Sequence, residues 1–197
     1  PDLPDSGHRA PLTALAYSPD GASLYTLDSN GELREREVQR TRTLFRGHLD
    51  DGAGRMRILP DGSLLIGRSS GAITWYEKPV TGQPLTPRRT FQGAGAGSQQ
   101  STPAPPISLQ IGDFLPSPDG SFLAAVTLET ARDEDNRPHR AGARRARLRV
   151  WNMQDGTIAH EWEPIPATDG VPQLAWSNGG KTLVVALPEV ALQRFDP

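Results

Sequence analysis

Four short turns recur along the chain, and their spacing constrains the fold more than any other feature. They are Ser18-Pro19-Asp20-Gly21, Leu59-Pro60-Asp61-Gly62, Ser117-Pro118-Asp119-Gly120 and Ser177-Asn178-Gly179-Gly180. With the last glycine of each turn as an anchor, apolar residues stand nine and six positions before every anchor and three positions after it. These residues are Leu12, Ala53, Ile111 and Val171, then Leu15, Met56, Phe114 and Leu174, then Leu24, Leu65, Leu123 and Leu183. Such agreement indicates an internal repeat.

Each turn predicts a β-hairpin. Proline presets one backbone dihedral, aspartate binds its own local backbone, and glycine accepts a positive φ. Short apolar runs on both sides are typical of antiparallel strands. Further strands are predicted at 32–38, 72–77, 147–152 and 191–196, and outer strands at 41–46, 88–92 and 157–163. The chain is therefore predicted to be all-β, with four-stranded meanders of which the last lacks its outer strand. With 20 glycines and 19 prolines, a helical bundle is disfavoured.

Two dipeptides link this repeat to a known family. Gly7-His8 and Gly47-His48 precede the first strands of units one and two, and three of the four third strands end in an aromatic residue followed by an acid or its amide. The dipeptides at the third-strand ends are Arg36-Glu37, Tyr76-Glu77, Trp151-Asn152 and Phe195-Asp196. In these positions the sequence resembles the WD-repeat β-propeller family. The excess of arginine over lysine, 19 to 2, favours a bacterial source.

The resemblance implies a β-propeller segment of about four four-stranded antiparallel blades, the last blade incomplete. It spans 1–197, with blades at about 8–46, 48–92, 107–163 and 171–197. The structural repeat positions it implies are His8, His48, Asp20, Asp61, Asp119, Tyr76, Trp151 and Phe195.

The histidines are expected to be weakly held. Many family blades bind this histidine through an aspartate in the turn between strands two and three, where Asn30, Ser70 and Glu189 stand here. An incomplete hydrogen-bond network is therefore expected, and His8→Ala and His48→Ala should each cost less than about 1.5 kcal/mol.

Ring closure is a separate question, because propellers bury their sheets by radial repetition of typically four to eight blades. The chain begins Pro1-Asp2-Leu3-Pro4, which suggests an excised segment or a processed product. We expect further blades of the parent chain to complete the ring. Self-association into a larger ring and a closed four-blade ring are the alternatives.

Two segments interrupt the repeat, at 93–106 and 129–146. In an up-and-down meander both connections emerge on the same face of the ring, and binding residues concentrate on loops held by a rigid scaffold. This face is therefore the candidate binding surface. A surface insertion without a partner is the alternative.

The second insertion has an acidic first half and a basic second half, with Arg147 and Arg149 beyond it. Arginine guanidinium groups bind carboxylates and phosphates in bidentate fashion. The candidate partner-binding residues are Arg132, Arg137, His139, Arg140, Arg144 and Arg145. Alternatively, the acidic half neutralises the basic half within a solvated loop.

Composition and motifs argue against several classes of function. A net charge of −2 disfavours nucleic-acid binding. The chain has no cysteine, and neither metal-binding nor nucleophile motifs occur, so we expect no catalytic residue, metal or cofactor. No apolar run approaches the ~20 residues of a membrane span. A soluble chain without a membrane partner is expected, with the cytoplasm favoured slightly over the periplasm.

The predicted function is a non-catalytic scaffold or sensor that binds a protein or peptide. The alternative is an accessory propeller domain of a larger enzyme or signalling protein, such as a kinase, peptidase or redox protein. A propeller enzyme with perturbed polar groups in its channel is the third hypothesis.

Overall fold

The computed structural model describes residues 7–40, 42–49, 52–92, 107–131, 144–167, 170, 172–186 and 193–195. These form two compact units, residues 1–90 and 91–197, which are described separately. The described part contains no helix long and apolar enough to cross a membrane.

The first unit contains two antiparallel four-stranded sheets, each with its strands in chain order, except that the final residue of the second sheet, Phe91, belongs to the second unit. The first sheet consists of β1 (Leu12–Tyr17), β2 (Ser23–Asp28), β3 (Glu32–Glu37) and β4 (Thr43–His48). The second sheet consists of β5 (Ala53–Ile58), β6 (Leu64–Arg68), β7 (Ile73–Tyr76) and β8 (Pro87–Phe91). Gly47 and His48 are the last two residues of β4 and precede β5, the first strand of the second sheet.

The second unit contains a third sheet with an additional short strand and a fourth sheet with three described strands. The third sheet consists of β9 (Ile107–Pro116), β10 (Phe122–Ala131), β11 (Arg145–Asn152) and β12 (Ile158–Glu161), with β13 (Ile165–Pro166) also paired to β11. The fourth consists of β14 (Gln173–Ser177), β15 (Thr182–Ala186) and β16 (Gln193–Phe195). The predicted all-β chain of four-stranded antiparallel meanders is thus confirmed, and the structure describes three strands of the last sheet.

The turn aspartates bind the local backbone. Oδ1 of Asp20, Asp61 and Asp119 accepts hydrogen bonds from the N–H groups of Ala22, Ser63 and Ser121 at 3.0, 2.9 and 3.1 Å. The final glycines Gly21, Gly62 and Gly120 have φ of 69°, 81° and 73°. This geometry closes each hairpin and sets the strand register.

The second hairpin turn is one residue shorter than the first. Leu59 N donates to Ser63 O, whereas Ser18 N donates to Ser23 O five positions on. Leu64 therefore pairs with Ile58, as Leu24 pairs with Tyr17. The sequence alignment of Leu65 with Leu24 was wrong by one position, and Leu65 faces the opposite side of its sheet.

In the first unit, one face of the first sheet packs against one face of the second sheet and forms a hydrophobic cluster with it. We call the face that a sheet turns toward the sheet before it its leading face, and the face that it turns toward the sheet after it its trailing face. The leading face carries Met56, Ile58, Leu64 and Ile66, and the trailing face carries Ala14, Ala16, Tyr25 and Leu27.

The second unit repeats this arrangement. The leading face of the fourth sheet carries Leu174, Trp176, Leu183 and Val185, and the trailing face of the third carries Leu115, Ala124, Val126, Leu148 and Val150. Burial of these apolar side chains drives the packing of each sheet on its neighbour.

Candidate functional site

The third sheet is longer than the first at one edge. Strands β9 and β10 have ten residues each, whereas β1 and β2 have six. Ile107, the first residue of β9, pairs with Ala131, the last residue of β10. The segments 93–106 and 132–143 therefore leave the third sheet at the same edge, as expected for an up-and-down meander. We call this the extended edge.

The strands reach into the second insertion. Residues 129–131 belong to β10, and 145–146 to β11. The reason is the alternation of Leu128, Ala146 and Leu148, whose side chains are buried in the core and continue the ladder. Strand β13 pairs with β11 at the same edge and was not predicted.

Four of the candidate partner-binding residues, Arg132, Arg137, His139 and Arg140, lie outside the described residues. Arg144 is half-buried, and its Nη2 donates to Gln110 Oε1 at 3.2 Å. Arg145 is exposed on β11 opposite Glu129 and Pro166. Among the residues that the structure describes, these two arginines mark the extended edge.

Arg147 and Arg149, which follow the insertion, are paired within the sheet. Arg147 donates from Nε to Glu129 Oε1 at 2.5 Å and from Nη1 to Glu161 Oε1 at 2.8 Å. Arg149 Nη2 donates to the same Glu161 oxygen at 2.8 Å. The hydrogen bond to Glu129 raises the pKa of Arg147, and the hydrogen bond from Arg149 lowers the pKa of Glu161. Of these two glutamates, Glu129 belongs to the acidic half of the insertion, whereas Glu161 comes from β12.

His8 belongs to a complete hydrogen-bond network in the first sheet. Its Nδ1 lies 3.0 Å from Asp28 Oδ2, and its Nε2 lies 2.7 Å from Thr26 Oγ1. The second oxygen of Asp28 accepts the N–H groups of Asn30 and Glu32 at 3.0 and 2.9 Å. The expectation of an incomplete network was wrong here, because Asp28 at the end of β2 supplies the carboxylate that the turn lacks.

A cluster of charges extends from this network. Glu32 Oε1 accepts hydrogen bonds from Arg34 Nε at 3.0 Å and from Arg46 Nε. Arg34, only 1% exposed, also donates from Nη2 to the carbonyl of Gly7 at 2.6 Å. The guanidinium of Arg34 thus holds the segment that carries His8 on the first sheet.

Ligand atoms of His8, Asp28 and Glu32 lie within 4.8 Å of one another, as metal ligands would. Each of the three already has protein partners, however. The imidazole of His8 binds Asp28 and Thr26. Asp28 also accepts hydrogen bonds from two backbone N–H groups, and Glu32 accepts hydrogen bonds from two arginine side chains. The arrangement is that of a structural network.

His48 lies in a different environment. Its side chain is exposed and borders a cleft of about 410 Å³ together with Arg9, Asp28, Asn30, Glu32, Arg46 and Gly47. The register places Arg68 and Ile66 in the second sheet where Asp28 and Thr26 stand in the first. Neither can accept a hydrogen bond from an imidazole, and His48 has no hydrogen-bond partner among the described side chains.

Two of the aromatic repeat positions, Tyr76 and Trp151, have described side chains, and both are buried. Tyr76 is the last residue of β7 and Trp151 the last but one of β11, and they are 4% and 2% exposed. Phe195 lies on β16 opposite Leu183.

Sequence reasoning missed Asp28, Thr26, Glu32 and Arg34. The available signal was the two-residue spacing of Thr26 and Asp28, which places both polar side chains on one face of β2.

Solved structures share this architecture. The chain matches the β-propeller domain of Myceliophteria thermophila Cps50 (Swd1) with a TM-score of 0.65 and 16% identity, over 93% of this chain and 50% of that chain. It matches the computationally designed Ika4 protein with a TM-score of 0.59 and 14% identity, over 97% and 94%. It matches Kuenenia stuttgartiensis hydrazine synthase with a TM-score of 0.59 and 18% identity, over 88% and 43%.

No family model and no curated protein matches the sequence. The chain spans about half the length of the Cps50 chain that it matches. Likeness at this level of identity establishes architecture and leaves function to be argued from the sites. The sheets, their order and these neighbours together show that the chain folds as a segment of a β-propeller.

Proposed function

We propose that the chain is a non-catalytic propeller module of the WD-repeat type that binds a protein or peptide at the extended edge of the third sheet. The observation that carries the proposal is the pairing of Ile107 with Ala131. Because of this pairing, both long segments connect to the third sheet at the extended edge. In the first sheet the corresponding connection is tight, with Gly31 N donating to Asp28 O at 3.0 Å. Among the described residues, the extended edge thus marks where the third sheet departs from the repeat.

The chemistry of the edge favours an acidic partner. Arg145 is exposed and has no ion-pair partner among the described residues, whereas Arg147 and Arg149 are bound to glutamates. An exposed guanidinium beside further arginines of the insertion suits carboxylates, which it can bind through two parallel hydrogen bonds. The expected partner is therefore a peptide or a protein surface that is rich in Asp and Glu.

Binding of a fluorescently labelled glutamate-rich peptide, measured by anisotropy at low and high salt, tests the proposal. We expect saturable, salt-sensitive binding that is abolished by deletion of 132–143 and weakened by Arg144→Ser with Arg145→Ser. Arg9→Ser is the matched control, since Arg9 is an exposed arginine of the first unit. Absence of saturable binding, or equal loss with Arg9→Ser, would contradict the proposal.

The accessory-propeller hypothesis has one observation in its favour, the likeness to 43% of a hydrazine synthase chain. Unlike the first proposal, this hypothesis requires that the parent gene also encodes a catalytic domain. A catalytic domain in the same reading frame, together with loss of its turnover when 132–143 is deleted, would favour the accessory role.

A further inference from the structure

Strand β9 is an edge strand of the third sheet. Among the described residues, β10 is the only strand that is hydrogen-bonded to it. Its first four residues, 107–110, belong to the extended edge, where they pair with the last four residues of β10. An edge strand presents a row of backbone N–H and C=O groups to which a strand of another chain can bind.

The fourth sheet binds β9 farther along the strand. Leu174 N donates to Asp113 Oδ2 at 3.0 Å, and Trp176 Nε1 donates to the carbonyl oxygen of Leu115 at 3.1 Å. Both contacts lie beyond Gln110, the last of the four residues. Residues 107–110 also contain neither a charged residue nor a proline, which are the residues that commonly protect an edge strand from pairing.

A guanidinium lies beside this part of β9. Arg144 directly precedes β11, which is separated from β9 by β10, and neighbouring strands lie about 4.8 Å apart. The Arg144 side chain nevertheless reaches β9, where its Nη2 donates to Gln110 Oε1 at 3.2 Å. A strand added beside β9 lies one strand spacing further on, so a glutamate side chain on it can meet the same guanidinium. Its carboxylate would accept a charge-assisted hydrogen bond, about twice as strong as one to a neutral amide.

We propose that the acidic partner binds as an additional β-strand along residues 107–110 of β9, with its carboxylates on the face that carries Gln110. The inference rests on the proposed function, because it takes the acidic peptide as ligand and adds the way in which that peptide binds. Backbone hydrogen bonds to β9 supply affinity, and the alternation of side chains along a strand supplies specificity. The preferred ligand is therefore a peptide with Asp or Glu at every second position.

Two peptides of equal length, composition and charge test this preference. In the first, Glu alternates with Thr, so that all carboxylates lie on one face of a strand. In the second, pairs of Glu alternate with pairs of Thr, so that only half of the carboxylates lie on that face. We expect the first to bind about tenfold more tightly in an anisotropy titration of the full chain, as for the loss of one hydrogen bond to a charged group. Equal affinities would contradict the proposal.

The protein side of the test is Arg144→Ser, which should abolish the preference between the two peptides. Arg9→Ser is the matched control and should retain it, since Arg9 is an exposed arginine of the first unit. Retention of the preference in Arg144→Ser, or its loss in Arg9→Ser, would show that the face carrying Gln110 does not select the peptide.

N-methylation of the alternating peptide tests the backbone hydrogen bonds without any change to the protein. Successive N–H groups of a strand point to opposite edges, so methyl groups on one alternate set face β9 and those on the other set face away from it. We expect methylation of one set to weaken binding about tenfold or more, and methylation of the other set to have little effect.

The outcomes separate this inference from the proposed function. Equal effects of the two methylated sets, or no effect of either, would overturn the added strand and leave the binding of an acidic partner in place. Absence of saturable binding by the unmethylated peptides would overturn the proposed function and this inference with it.

Discussion

Asp28 binds His8 across 20 residues of sequence, with 3.0 Å between Oδ2 and Nδ1, and its carboxylate is almost completely buried. The same imidazole reaches Thr26 through its other nitrogen. The network thus fastens the segment before β1 to β2, and Arg34 adds a second attachment at the carbonyl of Gly7. The two histidines that the repeat made equivalent therefore have different structural roles.

Substitution of the two histidines should separate these roles. We expect His8→Ala to lower the free energy of unfolding by about 1–3 kcal/mol, because it leaves the buried Asp28 carboxylate without one of its donors. His48→Ala should cost less than about 0.5 kcal/mol, as is usual for an exposed side chain. Urea unfolding of both variants measures the difference, and equal losses would contradict the asymmetry.

Asp28 should also make stability depend on pH. Burial raises its pKa, but the hydrogen bonds from Glu32 N–H, His8 and Asn30 N–H outweigh burial and hold the pKa below its usual range. A carboxyl with a lowered folded-state pKa stabilises the fold fully above its unfolded value of about 3.9 and loses that contribution as pH falls through the folded value. Asp28→Asn should therefore flatten the loss of stability below about pH 5, as measured by urea unfolding from neutral to acidic pH. Parallel curves for variant and wild type would show that Asp28 does not contribute.

Two leucines at the same repeat position should differ in their contribution to stability. Leu183 is completely buried in the core of the second unit, so Leu183→Ala should cost about 2–5 kcal/mol. Leu24 is half-buried opposite the exposed Tyr17 of β1, and Leu24→Ala should cost less than half as much. Thermal unfolding of both variants makes the comparison. A loss for Leu24→Ala as large as that for Leu183→Ala would contradict the difference in burial.

Two glycines with positive φ should tolerate alanine differently. Gly21 has φ of 69° and open space around a built Cβ, so Gly21→Ala should cost about 1 kcal/mol through backbone strain alone. Gly31 has φ of 83°, and a Cβ there would overlap the carbonyl oxygen of Leu49. We expect Gly31→Ala to cost more than about 3 kcal/mol, since backbone must move as well. Chemical denaturation decides, and similar losses at both sites would contradict the steric argument.

The sequence by itself determined the hairpins and the number of sheets. These follow from local chemistry, because Pro-Asp-Gly turns and alternating apolar residues act over fewer than ten positions. It also placed both insertions at one edge, since meander topology leaves no other arrangement. The register of β6 could not be predicted from the sequence. A turn that is shorter by one residue moves Leu65 to the other face of the sheet, and Leu64 and Leu65 are equally apolar.

Only the tertiary structure decided which polar groups meet. The pairing of His8 with Asp28 depends on how the segment before β1 crosses the end of β2, and nothing local to either residue encodes that crossing. The same holds for the glutamates that bind Arg147 and Arg149, which come from two different strands. The tertiary structure also decided that Leu15 is exposed whereas its repeat counterpart Met56 is buried. Both residues have the same place in the repeat, and they differ only in what packs on them.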